Sequence, residues 1–306
     1  YRRNNLLFWK GSEINMKVVI VGGVVAGASA AARLRRLDEK AEIIVFERSG
    51  YVSYANCGLP YYIGDVITER ENLTLQTPES FYNRFRVKIN VHHEVMAIHP
   101  DSKTVSVKNL KTGNEFEESY DKLILAPGAR PSRPRIFGMD TEKVFTLRTV
   151  EDTFRIKDYV SKNNPKSAVV AGGGFIGIEV AENLRELGMD VTIVQLFKQL
   201  TGNFDPDMAA MIHAEMRKHG VKLALGQAVE GFEKYDDGVK VYVKDQQALH
   251  ADMAILAIGV TPDTALAREA GLQLGIAGSI IVNDRMETSV ADIYAAGDAV
   301  QVKHYV

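Results

Sequence analysis

The chain has 306 residues, 46% hydrophobic and 25% charged, with a formal net charge of -2, the composition of a folded chain long enough for two domains. Near-neutral charge leaves no electrostatic footprint for nucleic acid or an anionic membrane surface, and no apolar run has the length that spans a bilayer. A single cysteine excludes an internal disulfide framework and fits a reducing compartment, so a cytoplasmic location is expected.

Residues 1–15 include Leu6-Leu7-Phe8-Trp9, too short for the apolar core of a signal peptide and followed by no small-residue cleavage site. They are expected to be a disordered extension ahead of Met16. Residues 18–21 read as a short apolar strand, followed by Gly22-Gly23-Val24-Val25-Ala26-Gly27 and an alanine-rich helix over residues 28–37. The next strand, residues 42–46, ends at Glu47, about twenty residues past Gly27. This is the dinucleotide-binding strand–helix–strand layout, with glycines for the turn, a helix N-terminus for the pyrophosphate and an acid for ribose hydroxyls. Val24 stands where the pattern has its middle glycine.

The stretch Tyr51-Val-Ser-Tyr-Ala-Asn-Cys-Gly-Leu-Pro-Tyr-Tyr-Ile-Gly64 holds the cysteine, Cys57. Asn56 is a good helix N-cap residue and Gly58-Leu59-Pro60-Tyr61 can open a helix. A thiol in that first turn faces the positive end of the helix dipole, which favours the thiolate. By itself a lone cysteine is more often a small buried hydrophobe.

Residues 84–122 read as alternating strands with a turn at 109–114, and residues 121–129 as a buried strand running into a Pro-Gly turn. Pro131, Pro134 and Gly138 mark a linker. A second glycine fingerprint follows, complete as Gly172, Gly174 and Gly177, with a helix over 178–187 and a strand over 191–194. Two such units in one chain imply two dinucleotides. Where the second unit would place its ribose-binding acid stands Gln195, a neutral amide that removes repulsion against a 2′-phosphate, with Lys198 available to meet one. These residues leave the coenzyme open between NADH and NADPH. Residues 252–262 form another apolar strand ending in a Gly/Pro turn at Gly259 and Pro262. Residues 288–298 deliver Gly297-Asp298 to a strand's carboxyl end, a place for a carboxylate that binds ligand hydroxyls.

Taken together, Gly22–Gly27 with Glu47, Leu125-Ala-Pro-Gly-Ala129, Gly172–Gly177, Ala257-Ile-Gly-Val-Thr-Pro262 and Ile293-Tyr-Ala-Ala-Gly-Asp298 resemble, in family order, the two-dinucleotide flavoprotein disulfide reductases. The resemblance covers nearly all of residues 16–306. It implies an α/β fold of two Rossmann-like domains with parallel central sheets, one inserted in the other: an FAD domain over 16–140 and 262–306, and an NAD(P)H domain over 141–261. Ser53-Tyr-Ala-Asn-Cys-Gly-Leu-Pro-Tyr-Tyr-Ile-Gly64 is similar to the coenzyme A-disulfide reductases, including rhodanese-fused relatives that reduce persulfides. The two-cysteine C-x-x-x-x-C motif is absent, as is the first-loop histidine of NADH peroxidases and oxidases, where Val24-Val25 stand.

The resemblance makes Cys57 the redox-active nucleophile, with Asn56 and Ser53 beside it. It assigns FAD to Gly22, Gly23, Val25, Ala26, Gly27, Glu47, Arg48, Val95, Ala126, Gly128, Arg148, Gly297 and Asp298. It assigns NAD(P)H to Gly172, Gly174, Phe175, Ile176, Gly177, Glu179, Gln195, Lys198 and Gly259, with Phe175 as an aromatic lid. Ser29, Arg33 and Arg36 match positions that hold coenzyme A; without the resemblance, Arg33 and Arg36 read as a solvated basic face. Phe85 stands where a substrate-binding lysine is expected, with Arg86 next door as a substitute. No metal site is expected. The family forms homodimers through a further domain; that domain and the last helix of the FAD domain are expected to be missing here, making the chain a fragment or truncated product.

One cysteine beside a flavin restricts the oxidised state to a mixed disulfide with a small thiol or a sulfenic acid. The first expectation is reduction of coenzyme A disulfide, or a related persulfide, through a Cys57–coenzyme A mixed disulfide. The second is an NADH oxidase with a sulfenate cycle, and the third a non-enzymatic FAD-binding redox sensor or remnant.

Overall fold

The computed structural model describes residues 15–302, so the expected N-terminal extension lies outside the described residues except for Asn15. Two five-stranded parallel sheets organise the molecule. The first runs Ile293–Ala295, Lys122–Leu125, Lys17–Val21, Glu42–Glu47, Lys88–Val91 across its width. Its central strand reads Lys-Val-Val-Ile-Val and is buried on both faces beyond Lys17, the apolar run of a strand covered by layers on either side. Val19 sits opposite Ile44 on one flank and Leu123 on the other.

The second sheet runs Lys222–Leu225, Asp190–Gln195, Ser167–Ala171, Met253–Leu256, Val144–Thr146. Both sheets place their glycine-loop strand at the centre with the next strand beside it. Each also inserts a three-stranded antiparallel meander in the same crossover: His93–His99, Thr104–Asn109 and Glu115–Ser119 in the first, Val229–Tyr235, Gly238–Val243 and Leu249–Ala251 in the second. All strands of the second sheet fall between Lys122–Leu125 and Ile293–Ala295 of the first, so one Rossmann-like unit is inserted in the other, as expected.

Helices start earlier than hydrophobic periodicity implies: Val25–Leu37 against 28–37, and Phe175–Glu186 against 178–187. The cause is that the glycine loops themselves supply the first helical turn. The expected linker is not a loose connection. Ala129–Pro131 pairs antiparallel with Val260–Pro262, because residues preceding and at proline favour extended backbone; the chain leaves and re-enters the first unit through this ribbon.

The segment after Glu47 does not pack where its sequence position implies. Tyr54, Leu59, Tyr62, Ile63 and Leu73 are buried in one cluster with Val150, Ile156, Val180 and Leu184 of the inserted unit. At ~1.5–3 kcal/mol per large apolar side chain removed from water, this shared core fixes the cysteine segment against the second unit. Polar ties add direction: Lys157 Nζ donates to the Ile63 carbonyl at 3.0 Å and pairs with Asp65 at 2.6 Å.

Asp292 ties the start of Ile293–Ala295 to the neighbouring strand Lys122–Leu125 and to the meander turn before Thr104–Asn109. Lys103 Nζ and Lys122 Nζ each donate to its carboxylate at 2.5 Å, and these two bonds hold its pKa down at about 2. Because the folded value lies below the ordinary carboxylate value, the stabilisation is complete above the ordinary range and is lost as pH falls through about 2. Asp292→Asn is therefore expected to lower the melting temperature at neutral pH and to flatten its fall between pH ~4 and ~2; an unchanged acid limb in a pH series of melts would exclude this role.

Candidate active site

The first glycine loop is shaped by contacts that exclude side chains. Gly22 has φ +98°, and a Cβ on it would lie 2.1 Å from the Ala126 carbonyl oxygen; a Cβ on Gly27 would lie 1.8 Å from the carbonyl oxygen of Gly22. Strand end, loop and helix thus meet backbone to backbone, and the helix N-terminus opens on a cleft of about 1040 Å³, at the top of the range for small-molecule sites (~300–1,000 Å³). Among the residues expected to hold FAD, Gly22, Val25, Ala26, Glu47, Arg48 and Val95 line this cleft on one side. Ala126, Gly128, Arg148, Gly297 and Asp298 complete it. Gly23 and Gly27 do not line it; both are buried behind it as packing positions.

Glu47, buried at the strand end, accepts the Gly23 N–H through Oε2 at 2.7 Å and the Ser49 N–H through Oε1 at 2.8 Å. Asp298 is paired with Arg148 at 2.7 Å, and Arg148 also donates to the Ala129 carbonyl at 3.0 Å. Asn56 lines the same cleft, and its Oδ1 is buried without a hydrogen-bond partner, an atom that a polar group entering the cleft would satisfy. Helix N-terminus, buried acid, arginine and orphaned amide oxygen together fit a large anionic ligand bearing hydroxyls.

Cys57 is exposed and lies in a single 3-10 turn, Asn56–Gly58, leading into the short helix Leu59–Ile63. The expected Asn56 N-cap is not present: Ala55 and Gly58 occupy the two cap positions, and neither helix start has a side-chain cap. Asn56 is turned instead toward the cleft, and the dipole facing Cys57 is that of one short helix rather than a long one. That helix packs on Phe175–Glu186 so closely that a Cβ on Gly64 would lie 2.1 Å from Asn183 Oδ1. Tyr61, one turn past Cys57, is pushed above the usual phenol range by burial and by Glu182, Glu179 and Cys57 around it. Burial, then Glu182, raises Glu179 as well. The thiol therefore stands at the junction of the two units.

Ser53, in the left-handed region at φ +46°, faces a groove of about 210 Å³ with Ser29, Ala32, Phe85 and Arg84. Ser29, Arg33 and Arg36 share one face of helix Val25–Leu37, and all three are exposed. The intervening Arg35 is a tie rod, donating to the carbonyls of Phe85 and Ala41 at 2.9 and 2.7 Å. The expected substitute cation, Arg86, does not face the groove: it ends helix Pro78–Phe85 in a left-handed conformation and stacks on Tyr82. Arg84 lines the groove instead.

The second glycine loop repeats the first. Gly172 has φ +110°, with a Cβ position 2.2 Å from the Ala257 carbonyl oxygen, and the Cβ position of Gly177 is 2.1 Å from the Gly172 oxygen. Gly174, by contrast, has open space above it, as a glycine placed for ligand approach requires. Phe175 is 55% exposed and meets Phe204 edge-on, so it is not a core packing residue. Ile176 is half-buried, Lys198 exposed, and Gly259 turns the chain at φ +108°. None of the residues expected to hold NAD(P)H lines the large cleft.

The pyridine nucleotide-disulphide oxidoreductase model matches residues 16–306. The chain belongs to that family. It is 38% identical over 289 residues to the coenzyme A disulfide reductase of Staphylococcus aureus, covering 94% of this chain and 64% of that protein. The crystal structure of reduced Bacillus anthracis CoADR-RHD superposes with a TM-score of 0.92 at 49% identity, covering 94% of this chain and 52% of that one. The water-forming NADH oxidase from Lactobacillus brevis superposes with a TM-score of 0.88 at 33% identity, covering 94% and 63%. The chain thus spans about half to two thirds of the length of these relatives. Two activities share this backbone, and side chains must separate them.

Several cleft residues of this oxidoreductase-family chain escape a reading of local motifs. Asp263 pairs with Arg48 at 2.7 Å across 215 residues of sequence, a contact without local signal. Tyr54 lines the cleft, and burial followed by Glu47 lifts its pKa to about 12, so its hydroxyl is a donor at neutral pH. Asp152 did carry a signal: Thr149 and Asp152 form a capping box at the start of helix Val150–Asn163, and Asp152 also accepts the Arg148 N–H at 3.1 Å. Among the described residues no helix is long and apolar enough to cross a membrane, and no cluster of His, Cys, Asp or Glu has the makings of a metal site.

Proposed function

We propose that this chain carries the nucleotide-binding units and redox cysteine of a reductase that uses a reduced nicotinamide dinucleotide to cleave a small disulfide, coenzyme A disulfide or a related persulfide. The observation that carries this reading is an exposed, solitary thiol at the junction of two glycine-loop units. Residues 16–140 with 262–306 form the FAD half in this reading, and residues 141–261 the nicotinamide half. FAD held in the cleft would supply two-electron exchange between nicotinamide and sulfur.

The chain's own residues set up the rest. The Cys57 thiolate attacks one sulfur of the disulfide RSSR, forming Cys57–S–S–R and releasing RS⁻, which takes up a proton. With no second cysteine, the mixed disulfide is opened by reducing equivalents from the nicotinamide, releasing the second thiol. Asn56, with its unpartnered Oδ1, and Tyr54, with its hydroxyl, face the cleft beside the cysteine turn. Ser29, Ser53 and Arg84 line the groove beside it, and Arg33 and Arg36 are exposed on the same helix face as Ser29, an array of hydroxyls and positive charge that suits a phosphate-bearing thiol. The absence of a histidine from Gly22–Gly27 supports disulfide over oxygen as the acceptor. In side-by-side assays with coenzyme A disulfide and with oxygen, nicotinamide oxidation is expected to be faster with the disulfide by about tenfold or more; faster turnover with oxygen would overturn the proposal.

A further inference from the structure

The chain holds two versions of one structural position. In the first unit the strand after the glycine loop ends in Glu47, whose Oε2 accepts the Gly23 N–H at 2.7 Å. In the second, the equivalent strand ends in Gln195, whose Oε1 accepts the Gly173 N–H at 3.2 Å. The amide is locked from its other side as well, since Nε2 donates to the Gln199 carbonyl at 3.2 Å. Gln195 thus preserves the structural bond of the acid while removing its negative charge. An acid at this position serves a free ribose 2′-hydroxyl, whereas a 2′-phosphate requires its absence and a cation nearby.

The cation is present. Lys198, three residues on, is exposed and has no hydrogen-bond or ion-pair partner among the described residues. Its loop is held in place: Leu200 N–H donates to His213 Nε2 at 3.0 Å, Gln199 Nε2 to the Phe204 carbonyl at 2.9 Å, and Gly226 N–H to the Phe197 carbonyl at 2.9 Å. Lys198 lies alongside Gly226, at the carboxyl end of the sheet, the edge where ligands of this fold bind.

We propose that the second unit selects the 2′-phosphorylated dinucleotide, NADPH over NADH, with Gln195 admitting the phosphate and Lys198 pairing with it. This rests on the second unit being the nicotinamide site. A charge-assisted contact of this kind corresponds to about tenfold to a hundredfold in affinity.

The test is calorimetric titration of the full chain with 2′,5′-ADP and with 5′-AMP, fragments that report the subsite without any turnover. The wild-type chain is expected to bind 2′,5′-ADP at least about tenfold more tightly. Lys198→Gln, a surface change, should erase most of that preference while the circular dichroism spectrum stays native, and Gln195→Glu should invert it. Equal affinities, or tighter binding of 5′-AMP, would overturn the preference and leave the site assignment standing. Binding of neither fragment would overturn both.

Discussion

Cys57→Ser is expected to abolish reduction of coenzyme A disulfide, by on the order of 10³-fold or more, the scale on which loss of a nucleophile acts. In the proposed mechanism the thiolate is both the attacking atom and the site of the mixed disulfide, and serine at neutral pH offers neither. Cys57 is exposed in the middle of a short turn, so the oxygen-for-sulfur exchange leaves the shared core of Tyr54, Leu59 and Ile63 untouched and melting should move little. Nicotinamide and flavin binding should be kept, separating loss of chemistry from loss of fold. A serine variant that retains most of the disulfide reductase activity would remove Cys57 from the mechanism.

Gly27→Ala is expected to have the largest effect on folding and on the cleft together. Alanine ordinarily favours a helix over glycine by ~1 kcal/mol. Here its Cβ would sit 1.8 Å from the Gly22 carbonyl oxygen and 3.3 Å from Ile20 Cγ2, so helix and strand would have to separate, at a cost of ~3 kcal/mol or more. The clash outweighs the propensity. Gly22 and Ala26 line the cleft beside this contact, so flavin titration should weaken along with the denaturation midpoint. Gly202→Ala is the matched control: its Cβ would meet nothing within 4 Å, and its effect should stay within ~0.5 kcal/mol. Equal midpoints for the two variants would contradict the backbone-contact account of the loop.

What could be read from the chain alone follows from how local each cause is. The glycine loops were legible because their constraint, backbone contact at Gly22–Gly27 and Gly172–Gly177, is written within six residues. Glu47 and Gln195 were legible as strand-end positions at a fixed distance from those loops. The surroundings of Cys57 were not. Asn56 has the composition of a cap, but the turn is capped by Ala55 and Gly58 while Asn56 faces the cleft, a choice made by tertiary packing. That the cysteine segment buries Tyr62 and Ile63 against the inserted unit depends on residues about a hundred positions away, and the Arg48–Asp263 pair spans 215. Arg84 and Arg86 differ only in which end of a helix turn they occupy; the left-handed conformation of Arg86 directs it away and leaves the groove to Arg84.

The measurement closest to the central claim is the intact mass of the chain after incubation with coenzyme A disulfide, before and after a reductant. The predicted result is a single adduct with the mass of coenzyme A, lost on reduction and absent from Cys57→Ser. A wild-type chain that stays unmodified under the same incubation, or carries an adduct that survives in the serine variant, would contradict the assignment of Cys57 as the disulfide-exchanging thiol.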